Sequence, residues 1–186
     1  MGKELLLHAC CGPCALHCLS SLYREDIRPD LYWYNPNIHP FTEYRARRDT
    51  LTQLAQEEQL ALHTLDEYGL RLFINALSAD AQGPTFDQAR RCPACYAMRL
   101  IKTAAYAAEQ GYRSFSTTLL ASPYQKHERI VSIGRESAAR YGLEFFYRDW
   151  RPHFHDGQRS ARERGYYMQK YCGCIFSEEE RYTKKG

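Results

Sequence analysis

The sequence predicts an α/β fold in which helices flank a parallel β-sheet. Short apolar runs that are typical of buried strands alternate along the chain with longer segments of helical periodicity. The chemically distinctive residues directly follow the apolar runs, and in parallel sheets ligands bind beyond the carboxyl ends of the strands. The chain has 186 residues, of which 44% are hydrophobic, and this is enough for one domain with a buried core.

The predicted strands and helices alternate in the order that this fold requires. Two predicted helices end at Gly111 and Gly142, since glycine adopts the left-handed backbone that closes helices. We expect one domain, with a core over residues 1–149 and a cysteine-bearing, partly helical extension over 150–186 that completes the site. The predicted strands are residues 4–9, 30–35, 60–66, 112–120 and 143–149, and the predicted helices are residues 15–25, 41–59, 95–111 and 127–142.

The composition limits the class of protein. The net charge of +3, the pI of about 8.4 and the fifteen tyrosines are compatible with a nucleic-acid partner. The N-terminal apolar run is shorter than that of a signal peptide, and no segment reaches the roughly 20 apolar residues of a membrane span. We therefore expect a cytoplasmic protein with no membrane partner. Because the cytosol keeps thiols reduced, the eight cysteines indicate metal binding or redox chemistry.

The first cysteine motif, HACCGPC, allows three interpretations. Cys11 and Cys14 form the CGPC tetrapeptide of thioredoxins, but the adjacent Cys10 has no role in a dithiol exchanger. A second CxxC follows at Cys92 and Cys95, so the two pairs are formally a four-thiolate zinc set. An iron–sulfur cluster also takes four thiolates, and Cys14 would then lie beside it as a ligand of a further metal or as a catalytic thiol. The cluster ligands available are Cys10, Cys11, Cys92 and Cys95.

The last two cysteines, Cys172 and Cys174, flank Gly173. A disulfide between them would close a tight ring, and strained disulfides suit redox cycling better than scaffolding. Two further metal ligands are the alternative. Cys18, by contrast, lies in an apolar helical segment and is expected to be a buried core residue, as is His8 in the first strand.

Polar and basic residues provide the candidate substrate contacts, although the same residue types also cap loops and cover solvated helices. Aromatic rings and basic side chains are what single-stranded RNA binds to. Arg45, Arg47 and Arg48 form one basic patch. The candidate substrate-binding residues are Asn35, Arg45, Tyr124, Gln125 and Arg151. A basic and aromatic run near the C-terminus comprises Arg159, Arg162, Arg164, Tyr166, Tyr167, Lys170 and Tyr171.

Five sequence motifs together resemble those of the cobalamin-independent epoxyqueuosine reductases. They occur in order from about residue 5 to residue 177 and cover nearly the whole chain. Five motifs in this order are far more specific than any one of them. The motifs are HACCGPCA, YNPNIHP with EYRAR, CPACYAMRL, TTLLASPYQ and YMQKYCGCIFS.

The resemblance implies a Rossmann-like sheet of the HUP type and the last step of queuosine synthesis. In that step the epoxide of epoxyqueuosine at the tRNA wobble position is reduced to the cyclopentene of queuosine. It also implies a [4Fe-4S] cluster with an adjacent mononuclear iron, and a redox-active pair at Cys172 and Cys174. The implied cluster ligands are Cys10, Cys11, Cys92 and Cys95. The implied partners are tRNAs with a GUN anticodon, of the Asp, Asn, His and Tyr types, and a low-potential donor such as ferredoxin or flavodoxin.

Two other functions stay open at this point. A tRNA sulfurtransferase with an iron–sulfur cluster would suit a nucleotide-binding α/β fold, but the SGGxDS-type phosphate loop of such enzymes does not follow the first strand. A zinc-stabilised RNA-binding module would use the same cysteines without catalysis. Metal content and colour separate this module from the two enzymes.

Overall fold

The computed structural model describes residues 3–78 and 86–183, and within them the prediction of an α/β fold is confirmed. Five parallel strands form one sheet in the order β3-β2-β1-β4-β5. The strands are β1 (Lys3–His8), β2 (Asp30–Trp33), β3 (Leu62–Thr64), β4 (Tyr112–Thr117) and β5 (Glu144–Phe145). The helices are α1 (Gly12–Tyr23), α2 (Phe41–Glu57), α3 (Leu70–Ser78), α4 (Gln88–Glu109), α5 (His127–Tyr141), α6 (Phe154–Glu163) and α7 (Ile175–Thr183).

The strand order places a topological switch point between β1 and β4. The chain leaves β1 towards β2 and later returns to pair β4 with the other side of β1. His8 at the end of β1 is in register with Tyr32 of β2 and with Thr117 of β4, so these three strands end at the same level. Ligands of open parallel sheets bind at such a point, beyond the carboxyl ends of the strands.

Several boundaries differ from those predicted from the sequence. Helix α1 begins at Gly12 rather than at residue 15, because Pro13 has the backbone angle of a first helical turn. Helix α4 begins at Gln88 instead of residue 95 and continues through Pro93. Strand β4 stops at Thr117, whose side chain accepts a hydrogen bond from the N–H of Leu119 and starts a 3₁₀ turn.

The sequence analysis also missed one helix and overestimated one strand. Helix α3 was not predicted, although Phe73 and Leu77 are spaced to lie on one face and are buried. Strand β5 has two residues where seven were predicted.

The division of the chain at residue 149 stays a prediction. Trp150, Ala161 and Tyr166, which follow it, belong to the main hydrophobic core. None of the helices in residues 3–78 and 86–183 is both long and apolar enough to cross a bilayer.

The segment of residues 166–174, here called the C-terminal strap, is fastened to the loop before α2 and to α2 itself. Arg47 is buried and donates to the carbonyl oxygens of Tyr171 and Cys172, each at 2.9 Å. The backbone N–H of His39 donates to Gly173 O at 2.8 Å, and the Tyr171 hydroxyl donates to His39 O at 2.6 Å. Arg47 therefore orders the strap instead of forming part of an exposed basic patch, which corrects the sequence-based interpretation.

The His39 ring is enclosed by aromatic side chains. It is fully buried, its centroid lies 5.6 Å from that of Tyr68 and 5.4 Å from that of Phe73, and neither ring nitrogen has a hydrogen-bond partner among the described residues. Burial lowers the pKa of His39 to about 4 because the charged imidazolium would lose its hydration. The ring is therefore neutral in the folded protein at neutral pH.

Gly12 fixes the distance between α1 and α2. A Cβ atom at this position would lie 2.7 Å from Thr50 Cγ2 and 3.2 Å from Thr50 O, and overpacking of this kind costs about 1–3 kcal/mol. We expect Gly12→Ala to lower the free energy of unfolding by that amount, measured by urea denaturation. Thr50→Ser removes the methyl group but keeps the hydroxyl that donates to Ala46 O, and should restore part of the loss. Equal stability of Gly12→Ala and the parent protein would contradict the close approach.

The buried neutral His39 predicts a loss of stability on acidification. Its folded pKa of about 4 lies below the usual value of 6.5, so the unfolded chain takes up the proton first. The free energy of unfolding should therefore fall as the pH drops from about 6.5 to about 4, with a limiting slope of about 1.4 kcal/mol per pH unit. His39→Phe should flatten this dependence in urea titrations. An unchanged slope in His39→Phe would refute the assignment.

Candidate metal centre and adjoining cavity

Three buried thiols meet at the carboxyl end of β1. The Sγ atoms of Cys10, Cys11 and Cys14 all lie within 4.8 Å of one another, and among the described residues they form the one such group of three or more potential metal ligands. The Cys10 and Cys11 sulfurs are 3.9 Å apart. Thiolates at this spacing suit a thiophilic metal or an iron–sulfur cluster.

The local chain path explains why these thiols converge. Cys10 and Cys11 lie between the end of β1 and the start of α1, and Cys14 lies in the first turn of that helix. The Cys10 N–H donates to Thr118 Oγ1 at 3.2 Å across the switch point. The Asn35 side chain donates to Ala9 O at 2.9 Å and so ties the end of β2 to the same turn. A helix N-terminus also favours negative charge on the adjacent sulfurs.

His8 lies directly below the thiol group and is a satisfied core histidine, as expected. Its Nε2 donates to Tyr34 O at 3.2 Å, which leaves Nδ1 to accept from the Thr117 hydroxyl at 2.9 Å. Burial and the positive charge of Arg99 lower the pKa of His8 to about 4. His8 is therefore a neutral spacer between β1, β2 and β4.

The three thiols share negative charge unequally. Contacts from the Cys11 and Cys14 thiols hold the pKa of Cys10 well below its usual range. Contact with Cys10, together with burial, raises the pKa of Cys11 and of Cys14 well above it. Negative charge in the group is therefore favoured on the Cys10 sulfur.

A second set of thiols comes from α4 and the C-terminal strap. Cys92 and Cys95 lie in the first turns of α4, and the pKa of each thiol is raised, first by burial and then by the charges of Cys172 and Cys174. For Cys95 the pKa rises to about 12. Cys95 and Cys174 also pack together in a small apolar cluster with Phe73 and Leu77 of α3.

Arg99 places a buried positive charge between the two sets of thiols. Its side chain is almost wholly buried, and its Nη2 lies 3.2 Å from Cys95 Sγ. Within residues 3–78 and 86–183 no carboxylate forms an ion pair with it. Burial would lower the pKa of Arg99, but its interactions with Cys95, Cys172 and Cys10 raise it. Its electrostatic partners are therefore the cysteines.

A cavity of about 580 Å³ opens beside these thiols, and Cys92, Cys172 and Cys174 all line it. A smaller space of about 20 Å³ lies behind it and is lined by Cys10, Cys14, Arg99 and Cys172 among others. Cys172 borders both spaces. It is exposed, whereas Cys10, Cys11 and Cys14 are buried, so it lies between the buried thiols and the open cavity.

The candidate ligands are distributed differently from the simplest sequence-based set. The structure groups Cys10 and Cys11 with Cys14, the thiol that was expected beside the cluster, whereas Cys92 and Cys95 are electrostatically coupled to Cys172 and Cys174. The four-thiolate set of Cys10, Cys11, Cys92 and Cys95 stays a prediction. Cys18 is a core residue in α1, as expected.

Only part of the predicted substrate-binding set lines the cavity. Tyr124 and Gln125 lie in its wall. Asn35 is fully buried under the thiol turn, Arg45 is exposed on α2, and Arg151 is engaged by both carboxylate oxygens of Asp149 at 2.8 and 2.6 Å. Neither cavity is lined by these last three residues.

Sequence reasoning missed Arg99, Thr118 and Tyr96 as parts of the site. A signal existed for Arg99, since it follows Cys95 by four residues in a helical segment and must share its face. Tyr96 donates to Gln125 Oε1 at 2.7 Å, and Gln125 Nε2 in turn lies 3.4 Å from Cys172 Sγ. These contacts join residues far apart in the sequence.

Comparison with known proteins assigns the family. Residues 5–180 match the family model described as epoxyqueuosine reductase QueH. A protein of that name from Dehalococcoides mccartyi is 38% identical over 184 residues, covering 99% of this chain and 97% of the relative. Those from Thermotoga maritima and Acinetobacter baylyi are 34% and 31% identical, covering 97% and 95% of this chain and 93% and 81% of the relatives. With these matches and a buried cysteine site at the switch point, the chain belongs to the epoxyqueuosine reductase QueH family.

Proposed function

We propose that this protein is an oxidoreductase that reduces the epoxide of epoxyqueuosine at the tRNA wobble position to the cyclopentene of queuosine. The observation that carries the proposal is the buried group of Cys10, Cys11 and Cys14, which adjoins an open cavity through Cys172. Membership of the family supports the same activity. The tRNA would be of the GUN-anticodon types, and we expect the reaction to take place in the cytoplasm.

The cysteines fit an iron–sulfur cofactor by the chemistry of their donor atoms. We propose a [4Fe-4S] cluster held by Cys10, Cys11, Cys92 and Cys95, with Cys14 available to an adjacent mononuclear iron. When bound, the cluster would supply electrons singly and an open-site iron would act as a Lewis acid. No cobalamin is needed in this scheme. The N-terminus of α1 supports it by favouring negative charge on the adjacent sulfurs, and burial of Cys10, Cys11 and Cys95 supports it by keeping water away from the donor atoms.

The protein also holds a dithiol that matches the stoichiometry of the reaction. Reduction of an epoxide to an alkene and water takes two electrons and two protons. Oxidation of the Cys172 and Cys174 thiols to a disulfide releases the same number of each, and a low-potential donor such as ferredoxin or flavodoxin would then restore the dithiol. Both thiols line the cavity, and both are free in the structure.

The backbone at Gly173 permits this arrangement of the two thiols. Its φ of +136° is a conformation that other residues rarely adopt, and a Cβ there would lie 3.2 Å from Arg47 Nη1 and 3.3 Å from Ile38 Cγ1. Gln125 presents an amide N–H to Cys172 at 3.4 Å, and the Tyr96 hydroxyl holds the other end of that amide. Cys174 instead receives the N–H of Ser177 at 3.4 Å. Both cysteines line the cavity, but their sulfurs therefore have different hydrogen-bond partners.

Metal analysis after anaerobic purification tests the cofactor. We expect a brown protein with iron and acid-labile sulfide at roughly four each, and additional iron if the mononuclear site is filled. Cys11→Ser should lose most of the visible absorption, because a buried ligand is removed. Cys18→Ala is the matched control and should keep it, since Cys18 lies in the adjoining helix α1 and belongs to the hydrophobic core. A colourless protein with zinc and no sulfide would overturn the cofactor and favour the zinc-stabilised RNA-binding module.

Removal of the dithiol should separate turnover from metal binding. We expect the Cys172→Ser/Cys174→Ser protein to keep its iron and sulfide but to lose sustained turnover with a physiological donor. Mass spectrometry of nucleosides from digested tRNA would measure queuosine formed per protein. Full multiple-turnover activity in this variant would refute the redox role of the two cysteines. Loss of iron would instead identify the two cysteines as metal ligands. A thiolated nucleoside as product would point to the sulfurtransferase alternative.

A further inference from the structure

The basic residues of the C-terminal region fall into two structural sets. Arg151, Arg159 and Arg164 are held in ion pairs with Asp149, Asp156 and Glu58. By contrast, Arg162, Lys170 and Arg181 line the large cavity, and within the described parts of the chain none of these three cations lies within ion-pair distance of a carboxylate. The first set is neutralised by the protein, whereas the second leaves positive charge facing the cavity.

The rest of the cavity wall increases this positive charge. Arg91 and Lys126 also line the cavity, and among the described residues no aspartate or glutamate lines it. Arg91 is paired with Glu180 at 2.7 Å, whereas the Lys126 ammonium donates to the carbonyl oxygen of Gln88 at 3.3 Å. A concave surface lined by one sign of charge focuses its field and attracts the opposite sign. The positive charge of its wall therefore favours the binding of an anion.

An exposed aromatic residue lies at the same cavity. Tyr124 is 77% exposed, which is the highest value among the large hydrophobic residues of the described chain. Its ring meets Phe154 edge to face, with centroids 6.0 Å apart and planes at 83°. This contact supports the ring through Phe154 and leaves most of it open to solvent. A supported, open aromatic face is the surface on which nucleobases stack.

The cavity has the size of a site for one small group. Its volume of about 580 Å³ falls within the roughly 300–1,000 Å³ of small-ligand sites. It is therefore suited to a single extruded nucleotide and too small to take in a helix. Cys92, Cys172 and Cys174 line its wall, so a nucleotide that enters the cavity comes close to these thiols.

We infer that Arg162, Lys170 and Arg181 bind the RNA phosphates on either side of one nucleotide extruded into this cavity, and that Tyr124 stacks on a neighbouring base. This inference rests on the proposed function and names the residues that hold the RNA. It divides the C-terminal basic run into cavity-facing cations, which bind RNA, and ion-paired cations, which maintain the fold. It assigns no phosphate contact to Arg45 or Arg151, because neither residue lines the cavity.

Fluorescence anisotropy with a labelled, unmodified anticodon stem–loop RNA, at several salt concentrations, tests the inference without any turnover. Each of Arg162→Ala, Lys170→Ala and Arg181→Ala should weaken binding and reduce the slope of log K against log salt by about 0.7, the value for one phosphate contact on a single strand. Tyr124→Ala should weaken binding about tenfold with an unchanged slope, and Tyr124→Phe should bind as the parent does. Arg159→Ala is the matched control, because Arg159 is exposed but paired with Asp156 outside the cavity, and it should change neither quantity.

The outcomes separate this inference from the proposed function. If the three cavity variants bind the stem–loop with the parent's affinity and slope, the inference is wrong, whether or not the enzyme reduces epoxyqueuosine. If they behave as expected but the parent forms no queuosine, the proposed function fails and the RNA site stands.

Competition identifies the ligand. Displacement of the stem–loop by unlabelled single-stranded RNA but not by duplex RNA supports the inference, whereas displacement by a free nucleoside monophosphate at equal concentration would replace it with a mononucleotide site.

Discussion

The electrostatic attraction between buried guanidinium groups and cysteine sulfurs is the interaction on which the rest of this site depends. Arg47 and Arg99 are both buried, and burying an unpaired charge costs several kcal/mol. Arg47 has the carboxylate of Glu43 at 2.6 Å. For Arg99 the described chain offers thiols in place of a carboxylate, with Cys95 Sγ at 3.2 Å. The buried partners of the Arg99 guanidinium are therefore sulfur atoms, and the cluster proposed above would supply negative charge beside it.

The sheet makes this attraction possible by bringing distant residues to one level. Because β1 pairs with β2 on one side and β4 on the other, the turn that carries Cys10 is fixed by Asn35 from one neighbour and Thr118 from the other. Helix α1 then begins at Gly12, directly after Cys11, so these cysteines adjoin its N-terminus. The close contact of Gly12 with Thr50 sets this helix against α2, which carries Arg47. The position of the thiols thus follows from the packing of three strands and two helices.

The sequence predicted the fold class and the strand-end location of the first cysteine motif, because both depend on local periodicity and on spacing. It did not predict helix α3, although Phe73 and Leu77 have helical spacing, since the partners that bury them include Cys95 and Cys174 from remote segments. Nor did it distinguish Arg47, buried, from its exposed neighbour Arg45. The strap carbonyls that Arg47 binds lie 124 and 125 residues away, and no local pattern encodes that contact.

The C-terminal strap joins the chemistry to substrate binding. Arg47 binds it through backbone carbonyl oxygens, as His39 does through its N–H, so the anchoring leaves the Cys172 and Lys170 side chains free to line the cavity. One short segment thereby carries both a thiol and a cation that line the same cavity. Displacement of the strap would remove the dithiol and part of the proposed RNA site together. Its anchors lie on α2 and on the loop before it, whereas the cavity's other walls come from α4, from the loop before α5, and from α6 and α7. The strap therefore joins these two parts of the site.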